Sequence, residues 1–138
     1  MSFYETIDRI TADAGIRVRA KSLQELICKS ILATFNEITP IEKVPQEESF
    51  FIEATSEIPF LLADLINTAL FLHESQLFVA SSCEVVELTS NYAKLKLVGS
   101  KYDPQKHEPN LMIKAATYHG LKVEREGDMW IGEVIFDI

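Results

Sequence analysis

Two helical stripes of apolar side chains, set in a chain that otherwise alternates like β-strand, limit this sequence most. Ser22-Leu23-Gln24-Glu25 has a capping-box pattern, a Ser at the cap and a Glu three residues on. Leu23, Leu26, Ile27, Ile31, Phe35 and Ile38 follow at i, i+3, i+4 spacing, and Pro40 stops the run. A second stripe is formed by Ile58, Leu61, Leu62, Leu65, Ile66, Ala69 and Leu70. It predicts a helix starting at Ser56, with Pro59 in the first turn where a missing N–H is harmless, and ending near His73.

Strand periodicity takes up most of the remainder. Residues 3–8 read as a short strand. In 15–21, Ile16, Val18 and Ala20 face one way and Arg17, Arg19 and Lys21 the other. Further strands are expected over 49–55, 77–88, 92–98, 111–117, 119–125 and 129–136. Ser90-Asn91 and Glu126-Gly127-Asp128 are hairpin turns between neighbours. Two helices among strands in hairpin order mean an α+β fold of largely antiparallel sheets. No repeat, linker or low-complexity segment divides the 138 residues, so 1–138 reads as a single domain with one core.

Composition narrows the function. The net charge of −8 opposes general binding to a phosphate backbone, which gains its affinity from Lys and Arg. The charge is uneven: residues 90–125 carry 7 basic and 3 acidic groups, while 1–89 carry 6 and 14. A mixed surface of this kind suits docking to a protein partner. No apolar run reaches the roughly 20 residues of a membrane span, and Met1-Ser2-Phe3-Tyr4-Glu5 lacks the features of a signal peptide. Cys28 and Cys83, with no Cys-x-x-Cys pair, are expected as reduced thiols of a cytoplasmic protein.

Common catalytic patterns are missing: no Gly-rich phosphate loop, no Gly-x-Ser-x-Gly elbow, and no metal spacing among His73, His107 and His119. A non-enzymatic role is expected. The polar stretch Gly99 to Asn110 is long for a compact domain and holds Lys101, Lys106 and His107, which makes it a candidate partner-contact loop. Oxygen chemistry stands out at two distant points. Asp13 sits in Thr11-Ala12-Asp13-Ala14-Gly15, and Asp137 precedes the terminal Ile138 with its main-chain carboxylate. Two arrangements fit these residues: a frayed terminus in water with Asp13 in a turn, or a hard cation that relieves the repulsion among three carboxylates. A metal-dependent hydrolase built on the same oxygens lacks a general base.

Four blocks resemble the archease family: Thr11-Ala12-Asp13-Ala14-Gly15-Ile16-Arg17, Tyr102-Asp103-Pro104-Gln105-Lys106-His107-Glu108, Lys114-Ala115-Ala116-Thr117-Tyr118-His119-Gly120-Leu121 and the terminal Val134-Ile135-Phe136-Asp137-Ile138. Ile10 stands where the family usually has a His, and Asp64-Leu65-Ile66 where it usually has a Trp. The resemblance implies an accessory protein of the GTP-dependent tRNA-splicing RNA ligase, promoting ligase guanylylation and multiple turnover. A chaperone-like role toward RNA-processing enzymes such as a tRNA methyltransferase is the alternative. It also implies a divalent cation, calcium first and magnesium or manganese next, held by Asp13, Asp137 and the Ile138 carboxylate. Lys114 and His119 fall in the most characteristic block and are expected to contact the ligase or a phosphate. Their plainer readings are a solvated lysine on a strand and a hydrogen-bonded histidine beside a turn.

Overall fold

The computed structural model describes residues 3–8, 14–105 and 107–138. The strands are β1 (Glu5–Asp8), β2 (Ala14–Ala20), β3 (Glu48–Thr55), β4 (Phe78–Thr89), β5 (Tyr92–Lys101), β6 (Ala115–Ala116), β7 (Lys122–Glu126) and β8 (Met129–Asp137). The helices are α1 (Leu23–Ile38) and α2 (Phe60–Gln76), with a 3-10 turn at Ile41–Lys43. All strand pairs are antiparallel. One sheet runs β1-β2-β8-β6, with β7 also on β8, and the other runs β3-β5-β4.

Both helices touch both sheets. The first helix packs on β2 and β8 and on β4; α2 packs on β6 and on all three strands of the second sheet. Contact with both sheets buries most of the apolar positions of the two helices. In α1 Leu26, Ile27, Ile31, Phe35 and Ile38 are buried as the stripe predicts, and so are Ser30 and Thr34. Those two hydroxyls donate to the carbonyls four residues back, Leu26 O at 2.7 Å and Ser30 O at 2.8 Å, so no polar hydrogen is left bare. Each fully buried Leu, Ile or Phe contributes about 1.5–3 kcal/mol. At the N-terminus of α1 the Ser22 hydroxyl accepts the Glu25 N–H at 3.1 Å, as the capping box requires.

The alternation in β2 is what the sequence implies: Ile16, Val18 and Ala20 are buried. On its outer face charges alternate across the sheet, with Glu5 opposite Arg17, Arg17 opposite Glu133 and Glu133 opposite Lys122. Two guanidinium nitrogens of Arg17 reach Glu133 Oε1 at 2.6 Å, which raises the Arg17 pKa further. In the second sheet Gly99 lets β4 approach: a Cβ there would lie 1.9 Å from the Val79 carbonyl oxygen. Gly127, with φ +62, makes the β7–β8 turn.

Several expectations need correction. Helix α2 starts at Phe60 with Pro59 as its cap, and runs past His73 to Gln76. His73 uses Nδ1 to bond the Phe78 carbonyl at 2.9 Å. The expected strand 111–117 shrinks to Ala115–Ala116, because the chain entering it bonds a helix end: Asn110 N–H donates to Ile38 O at 2.9 Å and Leu111 N–H to Glu37 O at 3.0 Å. These bonds satisfy carbonyls that the last turn of α1 leaves open. The two cysteines are not free thiols but a disulfide joining α1 to β4, with Cα atoms 5.4 Å apart. A separation of 55 residues carries no sequence signal; packing of α1 across β4 brings the two half-buried residues together.

On the loop-closure estimate, a bridge over 55 residues stabilises the fold by about 4 kcal/mol. Denaturant unfolding of the Cys28→Ser, Cys83→Ser double variant should show a loss of that order. Coincident curves for variant and parent would mean that the bridge contributes nothing.

Candidate functional site

The last residues of the chain are built in, not frayed. Phe136 is fully buried and faces Ala14 of β2 on one side and Ala116 of β6 on the other. Asp137 pairs with Ala115, and its carbonyl accepts the Lys114 N–H at 2.8 Å. The Ile138 side chain is half-buried against the core. An apolar anchor thus sits at the end of a fixed strand, and the terminal carboxylate goes with it. The Asp137 side chain is exposed beside it.

Asp13 lies outside the described residues; Ala14, its neighbour in the chain, opens β2 opposite Phe136. Among the described residues no three His, Cys, Asp or Glu side chains converge as metal ligands. The donors present at the terminus are the Asp137 carboxylate and the Ile138 main-chain carboxylate. Hard oxygens of this type fit Ca²⁺, Mg²⁺ or Mn²⁺ and not a soft thiophilic metal.

The segment that flanks this strand is held from α2. Asp64 bonds two hydroxyls, Ser56 Oγ at 2.6 Å and the Tyr118 phenol at 2.5 Å. One turn later, the Asn67 carboxamide donates to Ala116 O at 3.0 Å and accepts the Ala116 N–H at 2.7 Å. The hydrogen bond to Asp64 holds the Tyr118 phenol above its ordinary pKa. The Phe60 and Tyr118 rings lie 4.9 Å apart between centroids. Thr117 adds its N–H and hydroxyl to the Ile135 carbonyl, both at 2.9 Å.

The remaining candidates fall in separate places. Lys101 and His107 share a cleft of about 500 Å³ with Lys43, Glu47, Glu48 and Asp103. His107 stacks on Tyr102, and its Nδ1 accepts the Asp103 N–H at 2.8 Å, so the neutral ring carries its proton on Nε2. Lys106 lies outside the described residues. The exposed Lys114 lines a different, largely apolar groove of about 720 Å³, along with Phe71, Glu74, Leu77 and Met112. His119 is exposed on the turn after Tyr118. Asp64, Asn67 and Tyr118 escaped the sequence reading. The available signal is a carboxylate and a carboxamide, Asp64 and Asn67, about one turn apart within the largely apolar run from Phe60 to Leu72.

The Archease protein family model matches residues 4–138. The chain is 37% identical over 132 residues to the Protein archease of Methanopyrus kandleri, covering 93% of this chain and 94% of that one. The solution structure of Methanobacterium thermoautotrophicum protein 1598 superimposes with a TM-score of 0.80 at 26% identity, covering 100% of both chains. A Thermotoga maritima archease, described as a possible chaperone, shares the fold with a TM-score of 0.61 at 23% identity, over 90% of this chain and 89% of that one.

Asp64→Ala should let the Tyr118 phenol ionise near the ordinary tyrosine value of about 10. An ultraviolet-monitored alkaline titration reads this as one tyrosine moving to lower pH. An unchanged titration curve would show that Asp64 does not act on the phenol.

Proposed function

The chain belongs to the archease family, and from that premise we propose a non-catalytic activator of the GTP-dependent RNA ligase of tRNA splicing. Activation works through a divalent cation, calcium in the first instance, held by Asp13, Asp137 and the Ile138 carboxylate. The observation that carries this reading is the fixed C-terminus. Pairing of Phe136 with Ala14 and Ala116, and of Asp137 with Ala115, fixes the main chain from which the two carboxylates extend, next to the start of β2, and so supports this reading. Neighbouring carboxylates at the end of a fixed strand supply the hard oxygen donors that such a cation takes.

When bound, the cation supplies positive charge against the phosphate groups that move during guanylylation. The chain's own part is to orient the oxygens. Anchored by the Ile138 side chain and the Lys114 N–H, the terminal carboxylate keeps its position without reorganising when the ligase docks. A net charge of −8 favours a protein partner over the RNA itself. Lys114 and His119 are the side chains proposed to meet the ligase, with Lys101, Lys106 and His107 forming a second contact region.

One observation favours a chaperone role as the second reading. Phe71 is 71% exposed and Met112 81% exposed, and both line the groove beside α2. Apolar and flexible, such a lining suits segments of varied sequence in a client such as a tRNA methyltransferase.

A ligation time course with excess RNA, ligase and GTP distinguishes the two. Substoichiometric amounts of this chain should convert single turnover into multiple turnover. Asp137→Ala should lose the effect while melting like the parent, since the Asp137 side chain is exposed. Equal activation by that variant would contradict the cation mechanism.

A further inference from the structure

The edge of the sheet at β6 has an unusual closure. In the antiparallel pairing of β6 with β8, Thr117 bonds Ile135 and the Lys114 N–H bonds Asp137 O, so the main-chain groups of Ala116 point away from β8. An edge strand leaves such groups to water or to a neighbouring chain. Here both are taken by one side chain from 49 residues earlier, the half-buried Asn67 of α2. A carboxamide offers one donor and one acceptor in the geometry of a peptide group, so Asn67 stands in for another strand. No other residue type of this length supplies both.

We propose that Asn67 is the positioning residue for the C-terminal carboxylates. It fixes Ala116, and through the Ala115–Asp137 and Ala116–Phe136 pairs it fixes the end of β8. Asp64 grips Tyr118 two residues further on, but from its side chain, so it leaves the main chain of β6 alone. The consequence for a cation rests on the function proposed above; the consequence for the strand does not. Removing a group that orients metal ligands typically weakens metal affinity about 10- to 100-fold.

Two readouts on the full chain test this. The first is hydrogen exchange of the Lys114, Ala116 and Thr117 amides, and the second is calorimetric titration with calcium chloride alone. Asn67→Ala should lose protection at 114–117 while β2 amides keep theirs; the near-isosteric Asn67→Asp, which keeps an acceptor for the Ala116 N–H but has no donor for Ala116 O, should lose it at the 114 and 117 amides. Both should also bind calcium about tenfold more weakly. Asp137→Ala should lose calcium binding yet keep protection at 114–117. Unchanged protection at 114–117 in both Asn67 variants would overturn the proposal, and so would parent-like calcium affinity alongside lost protection. A parent chain that binds no calcium would sink the cation reading alone; the exchange data would then decide the role of Asn67. Should Asn67→Ala fail to fold, the Asp variant carries the test.

Discussion

The pairing of β2 with β8 is the constraint on which the structure rests. It joins residues 14–20 to 130–136, the beginning of the chain to its end, and makes β8 an interior strand. The match is specific at two levels. Inward, Ile16, Val18, Val134 and Phe136 are buried together; outward, Arg17 meets Glu133. A one-residue slip would turn the arginines inward and the isoleucine and valine outward. Because β8 is flanked on both sides as far as Phe136, the residues that follow start from a rigid strand.

The helices then complete a closed core. Lying between two sheets, α1 and α2 have few positions open to water, and Gly132 marks how close the approach is. A Cβ there would lie 3.2 Å from a Leu26 methyl and 3.4 Å from a Leu62 methyl. Against this tight interior, residues 102–118 are fastened by discrete hydrogen bonds: to the C-terminal carbonyls of α1, to Asn67 and Asp64 of α2, and to the end of β8. That segment carries the exposed Met112, Lys114 and Tyr118 on main chain held by separate bonds and not by a long strand ladder.

Much of the scaffold was legible because local pattern and tertiary burial agree. The alternation in 15–21 and the capped stripe from Ser22 to Ile38 state both the element and its buried face. Of the candidate site, the sequence points to Asp137 because a charge closes an apolar strand. What escaped depends on contacts between distant residues. Nothing near Leu111 announces that α1's carbonyls will take its N–H, and nothing near Asn67 announces Ala116. Cys28 and Cys83 read as isolated thiols since their meeting is decided by how α1 crosses β4. The end of α2 was placed early because His73 looked like a helix-terminal residue, whereas its ring bonds the Phe78 carbonyl across the tight connection to β4.

The central claim is that the main-chain carboxylate of the last residue is itself a ligand. Preparing the chain by peptide ligation with Ile138 as its carboxamide removes that charge and leaves every side chain in place. Calcium calorimetry on the amidated and native chains is then the most direct measurement. The account predicts that the amidated chain folds as before and loses calcium binding; equal affinity in the two forms would contradict it.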